Sequence, residues 1–213
     1  PPSSPKKEEH ENIYTLPNFL TMSRLAMTPF IGYLVVEGSH PGLACSLLLC
    51  ASATDLADGW IARRWRLRTT VGSVIDPIAD KALVTVLTAA LATKGALPMW
   101  LAAIILGRDL GLGIAALRYR WLSLPPPKTF SRYWDFSLPS AEVRPTSISK
   151  YNTFLQLTLI AVTISQPFIE CSMGLDINSF LRYLQYIVAV TTVWSGASYI
   201  FSKDAVRVLQ GSK

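Results

Sequence analysis

The chain has 213 residues, half of them apolar and only 16% charged, with a mean hydropathy of +0.32. That composition excludes an intrinsically disordered chain and falls below the ~25% charge usual in soluble domains. A net charge of +6 and a pI near 9.4, in so apolar a chain, point to basic loops on an anionic membrane surface and not to nucleic acid.

Residues 1–15 open on PPSSPKKEEHEN, polar and mixed in charge. They read as a disordered leader, and a first residue other than Met suggests a trimmed chain. Residues 16–213 then read as one membrane domain. Six apolar stretches follow in order: Phe19–Val36, Gly42–Ile61, Gly72–Thr93, Leu97–Leu117, Tyr151–Ile169 and Leu181–Phe201. Each has about the ~20 residues that a helix needs to cross a ~30 Å hydrocarbon core. Strands of a membrane barrel would be half as long and alternate polar with apolar. The expectation is an all-α integral membrane protein with six transmembrane helices. Cys45, Cys50 and Cys171 lie in or beside these stretches, so they are expected to be small buried hydrophobes.

The connections alternate in charge. Lys6 and Lys7 precede the first stretch, and Arg63, Arg64, Arg66 and Arg68 follow the second. Arg118, Arg120, Lys128, Arg132, Arg144 and Lys150 follow the fourth, and Lys203, Arg207 and Lys213 the sixth. The intervening connections, around Glu37, Lys94 and Glu170–Asp176, lack such clusters. Six spans with both termini on one basic side, cytoplasmic or its matrix equivalent, satisfy this pattern. The connection at residues 120–149 is the longest. Pro125, Pro126 and Pro127 stiffen it, and Phe130, Tyr133, Trp134 and Phe136 give it an aromatic tip suited to the membrane interface.

Carboxylates within membrane spans are rare and usually functional. Four cluster here: Asp55 and Asp58 end the second span at i, i+3, and Asp76 and Asp80 open the third at i, i+4. Each spacing puts its pair on one helix face. A short basic connection makes the two spans antiparallel neighbours, so all four carboxylates converge at the basic end. Oxygen donors with no His or Cys nearby select hard ions such as Mg²⁺, Mn²⁺ or Ca²⁺. Two such ions would balance four carboxylates and suit displacement at phosphorus. Pro77 leaves two options. Either the third helix begins near Asp76, which then caps it, or it begins near Gly72 and carries Pro77 in its interior.

Written out, Asp55-Leu-Ala-Asp58-Gly59-Trp-Ile-Ala62-Arg63, eight residues, then Gly72-Ser-Val-Ile-Asp76-Pro-Ile-Ala-Asp80 resembles the signature DxxDGxxAR-x8-GxxxDxxxD of the CDP-alcohol phosphotransferases at every fixed position. The resemblance implies transfer of a substituted phosphoryl group from a CDP-linked donor to an alcohol, with release of CMP. It implies two divalent cations, Mg²⁺ or Mn²⁺, held by Asp55, Asp58, Asp76 and Asp80, with Asp80 also the base toward the acceptor hydroxyl. It puts Gly59, Ala62, Arg63 and Gly72, with Asn18 and Thr21 of the first span, at the nucleotide and CDP-diacylglycerol side. It also implies a homodimer.

The stretch Leu16-Pro17-Asn18-Phe-Leu20-Thr21-Met-Ser-Arg24 resembles the PNxLTxxR opening of the branch that makes phosphatidylglycerophosphate and cardiolipin. Ser149-Lys150-Tyr-Asn152-Thr153-Phe-Leu-Gln156 resembles the SKxNTxxQ stretch of eukaryotic-type cardiolipin synthases. The acceptor implied is phosphatidylglycerol, and the compartment the mitochondrial inner membrane with a matrix-facing site. Lys150, Arg144 and Arg108 are the candidates for the acceptor phosphate, and Asn152 is compatible with a place beside Lys150. Arg108 neighbours Asp109, but adjacent helix residues face apart, so pairing is expected with other spans. Arg24 either faces the nucleotide or snorkels to the interface.

Two other readings are open. Glycerol 3-phosphate as acceptor would make the chain a phosphatidylglycerophosphate synthase. A divalent cation transporter would also use the carboxylates, but the far halves of the spans carry no acidic residues to continue a path.

Overall fold

The computed structural model describes residues 15–64, 70–123, 142–143, 147–174, 176–201 and 206–207. Among them run six helices: α1 (Leu16–Glu37), α2 (Pro41–Arg64), α3 (Thr70–Thr93), α4 (Met99–Ser123), α5 (Ser147–Met173) and α6 (Asn178–Phe201). Three helical segments, Leu16–Glu37, Met99–Leu122 and Ile148–Ser172, are long and apolar enough to cross a membrane. The helices overrun the apolar stretches at most ends, because a polar terminal turn keeps helical hydrogen bonds once it reaches the interface.

Local chemistry sets the ends. Pro17 sits in the first turn of α1, where its missing N–H costs nothing. α1 stops at Gly38, whose φ of 75° lets its N–H bond Leu34 O at 3.0 Å. Gly95, at φ 77°, turns the chain after α3. Asp176 Oδ1 accepts the Asn178 N–H at 2.8 Å where α6 starts.

α1 packs on α3 and α2, α5 on α6 and α2, and α4 on α6 and α3. The α1–α3 approach depends on Gly32: a Cβ there would meet Val86 Cγ1 at 2.7 Å. The core joins Ile31 and Leu34 of α1, Leu48 of α2, Leu87 and Leu91 of α3, Leu101 and Ile105 of α4, Leu159 of α5 and Val188 of α6. Outside it, the usual distribution is inverted. Phe19, Leu110, Ile114, Phe154, Val190 and Trp194 face outward, while Asn18, Arg24, Asn152, Gln156, Thr192 and Ser195 are buried. A lipid surround explains this, since lipid welcomes apolar side chains and polar ones must find partners inside.

One expectation needs correction. Cys50 and Cys171 are exposed and Cys45 is half-buried; in a membrane bundle the outer surface is as apolar as the core, so an apolar neighbourhood does not imply burial. Of the two options for Pro77, the second holds: α3 begins at Thr70 and carries residue 77 in its interior, so Asp76 is not its cap. Within the connection at residues 120–149, Glu142 pairs with Arg207 and Val143 with Val206 in a short antiparallel ladder. The leader, apart from Thr15, lies outside the described residues, as do residues 124–141.

Candidate active site

The site is built where the start of α1 meets the last turns of α2 and the first turns of α3. Asn18, Thr21 and Arg24 recur at i, i+3 and i+6, so they share one face of α1, and all three are buried. That face meets the carboxylates. Thr21 Oγ1 lies 2.7 Å from Asp76 Oδ1 and 3.1 Å from Pro17 O, with one proton to donate. Arg24 Nη1 donates to Asp55 Oδ1 and to Asp80 Oδ1, each at 2.6 Å. Arg24 is 1% exposed, while the Asp55 and Asp80 side chains are 43% and 49% exposed. A buried guanidinium therefore backs a pair of carboxylates that open outward.

Three of the four aspartates are thus gathered on one stripe of α1, through contacts that span 31 to 56 residues of sequence. Asp58, Ala62 and Arg63 lie on α2, with side chains outside the described residues. Gly59 is half-buried on α2 and Gly72 buried on α3. Among the described residues no three acidic, His or Cys side chains group closely enough to share an ion. The donor chemistry nevertheless fits a hard divalent cation: Asp55 and Asp80 bring oxygens from two helices to within 2.6 Å of one cationic nitrogen.

A second polar cluster lies beside the first. Arg108 Nη2 donates to Ser149 Oγ at 2.6 Å and to Ser195 Oγ at 2.7 Å, joining α4 to α5 and α6. Its Nη1 donates to Asp109 Oδ1 at 2.6 Å. The same oxygen accepts from Lys81 Nζ at 2.7 Å, and Lys81 neighbours Asp80 on α3. Arg108 does pair with other spans as expected, but it also pairs with its sequence neighbour. Its long stem lets the guanidinium turn back along the helix, which Cβ directions alone do not reveal. Lys150 is exposed in the first turn of α5, next to Ser149, and Arg144 is outside the described residues. Asn152 and Gln156 point away from the exposed Lys150. Thr192 Oγ1 donates to Asn152 Oδ1 at 2.9 Å and receives Gln156 Nε2 at 3.2 Å, so both amides are buried against α6.

Sequence reasoning left Arg24 between two roles, although the i, i+3, i+6 polar face of α1 was a usable signal. Ser195 and the Lys81–Asp109 pair carried no signal. The cavity lined by Leu34, Gly38, Leu91, Lys94 and Pro167 lies at the opposite ends of α1 and α3, away from the aspartates.

The sequence model of the CDP-alcohol phosphatidyltransferases matches residues 14–194, from just before α1 to within α6. The chain belongs to the CDP-alcohol phosphatidyltransferase family. Members of this family use divalent metals, in keeping with the oxygen-only donor set. The chain is 46% identical over 203 residues to a Schizosaccharomyces pombe protein named cardiolipin synthase (CMP-forming) / mitochondrial hydrolase fusion protein, covering 95% of this chain and 33% of that one. It is 43% identical over 206 residues to a probable cardiolipin synthase (CMP-forming) of Drosophila melanogaster, covering 96% and 62%. It is 35% identical over 203 residues to a cardiolipin synthase (CMP-forming) of Homo sapiens, covering 94% and 66%. The chain thus spans between a third and two thirds of the length of these relatives.

Proposed function

We propose that this phosphatidyltransferase transfers the phosphatidyl group of CDP-diacylglycerol to the free primary hydroxyl of phosphatidylglycerol, giving cardiolipin and CMP. The observation that carries the chemistry is the meeting of Asp55 and Asp80, from two helices, at one cationic point on the half-open side of α1. The acceptor rests on likeness, over 94–96% of the chain, to proteins named cardiolipin synthase.

In this reading Asp55, Asp58, Asp76 and Asp80 hold two divalent cations, Mg²⁺ or Mn²⁺, which supply charge neutralisation at the donor diphosphate. Asn18, Thr21, Gly59, Ala62, Arg63 and Gly72 line the nucleotide side. The acceptor hydroxyl oxygen forms a bond to the lipid-side phosphorus. The bond from that phosphorus to the bridging oxygen breaks, and CMP leaves with the electron pair. Asp80 receives the hydroxyl proton and passes it to water, which its half-exposed side chain can reach. Lys150 and Arg144 attract the phosphodiester of the acceptor. Arg108 keeps a more distant place behind Ser149, since its guanidinium is already shared with Asp109 and two serines.

The reading includes six crossings with both termini on the basic side, and a matrix-facing site in the mitochondrial inner membrane. In support, the start of α1 touches the start of α3, and the chain after α6 pairs with the segment before α5. It also includes a homodimer. Gly107 and Gly111, one turn apart on the outer face of α4 with nothing within 4 Å of a built Cβ, suit close approach of a second helix.

Purified protein in lipid vesicles, given CDP-diacylglycerol and either phosphatidylglycerol or glycerol 3-phosphate, tests the assignment through CMP release. Turnover with phosphatidylglycerol is expected. Turnover with glycerol 3-phosphate alone overturns the acceptor.

A further inference from the structure

We propose that Arg24 is a resident counter-cation that competes with divalent ions for Asp55 and Asp80, so that loading the site exchanges a guanidinium for a metal. The inference rests on the reading of the aspartates as a divalent-ion site.

One nitrogen, Arg24 Nη1, touches both Asp55 Oδ1 and Asp80 Oδ1 at 2.6 Å. Two oxygens from separate helices thus converge on a position already held by positive charge. The Arg24 side chain is 1% exposed and lies between α1, α2 and α3, so water reaches the pair only from the carboxylate side. Thr21, which meets Asp76 on the same face, is neutral and does not compete. Without its ions the site would hold several bare carboxylates at the edge of a membrane, and such charges are costly unless paired. Arg24 neutralises part of that charge while the site is empty. The same charge then opposes an entering cation. Even at the dielectric of water, a unit charge ~5 Å from a divalent ion changes its affinity about tenfold. Arg24 therefore holds the empty site together and weakens its grip on metal.

The alternative is that Arg24 stays on the Oδ1 atoms and orients the other carboxylate oxygens for the ion. The two arrangements predict opposite signs. Mn²⁺ binding, measured by electron paramagnetic resonance on full-length protein in nanodiscs without donor lipid, separates them. For Arg24→Gln, the Mn²⁺ dissociation constant should fall at least about tenfold. Thermal unfolding of this variant should come at a lower temperature than wild type in chelator and recover with saturating Mn²⁺. Equal or weaker Mn²⁺ binding by Arg24→Gln overturns the exchange and makes Arg24 an orienting group. Should that variant not fold, Arg24→Met serves. Methionine, like glutamine, removes the charge at similar length, so Mn²⁺ affinity should again rise about tenfold, and an unchanged affinity overturns the proposal. If wild-type protein binds no Mn²⁺, the divalent-ion reading falls, and the exchange with it.

Discussion

Arg108 is 5% exposed and Asp109 6%, so water cannot compensate either charge if its partner is removed. Arg108→Met would leave Asp109 with Lys81 alone and strip Ser149 and Ser195 of a shared donor. Breaking one side of a buried pair costs about 3–5 kcal/mol, seen as a lowered unfolding temperature in detergent. Arg108→Met combined with Asp109→Leu should regain much of the loss, and a double variant no better than the single one refutes this account. The site aspartates should behave differently. Asp55→Ala, Asp58→Ala and Asp76→Ala should each lower CMP release by at least about a hundredfold, with losses that do not add, because ligands of one clamp act as a unit. Near-normal turnover in any of the three would remove that residue from the clamp. Lys150→Ala should raise the KM for phosphatidylglycerol about tenfold, the value of a charge-assisted contact, with CDP-diacylglycerol binding intact. Lost donor binding would move Lys150 to the other substrate.

At the scale of elements, the site depends on how closely α1 lies against α3. Thr21 and Arg24 reach Asp76 and Asp80 only because those helices approach at Gly32, about two turns further along α1. An added Cβ meets Val86 Cγ1 at 2.7 Å, and a β-branched side chain has few rotamers by which to yield. Gly32→Ala should therefore cost about 1–3 kcal/mol of stability and lower turnover, since the α1 stripe is displaced from its carboxylates. Adding Val86→Ala should restore both. Recovery of stability without recovery of turnover would separate packing from alignment.

For the whole molecule, the inverted distribution of polar and apolar residues makes a distinct claim about surroundings. Cys50 lies in the middle of α2 and is exposed on the outer surface. In vesicles lipid should cover it, so a charged, water-soluble maleimide should leave it unmodified until the protein is denatured. Rapid labelling of Cys50 in intact vesicles would mean that this part of α2 faces water. CMP release should stop in chelator and return with added Mg²⁺ or Mn²⁺, provided no more than the ion has been lost.

The number of long helices, their apolar character and the pairing of four aspartates in two helical turns were all legible in the sequence. Each depends on periodicity or fixed spacing along one or two adjacent segments, which local backbone geometry turns directly into shared faces. The family resemblance rested on the same short-range spacing. What needed the tertiary structure was every relation between distant segments: Arg24 between Asp55 and Asp80, Arg108 turned toward Ser149 and Ser195, and Lys81 on Asp109. The outward cysteines belong with these, since core and lipid are equally apolar and composition cannot tell which side of a helix faces which. A long cationic side chain on a buried face has several partners within reach of its stem. Only the packing of α1 against α2 and α3, and of α4 against α3 and α6, selects among them.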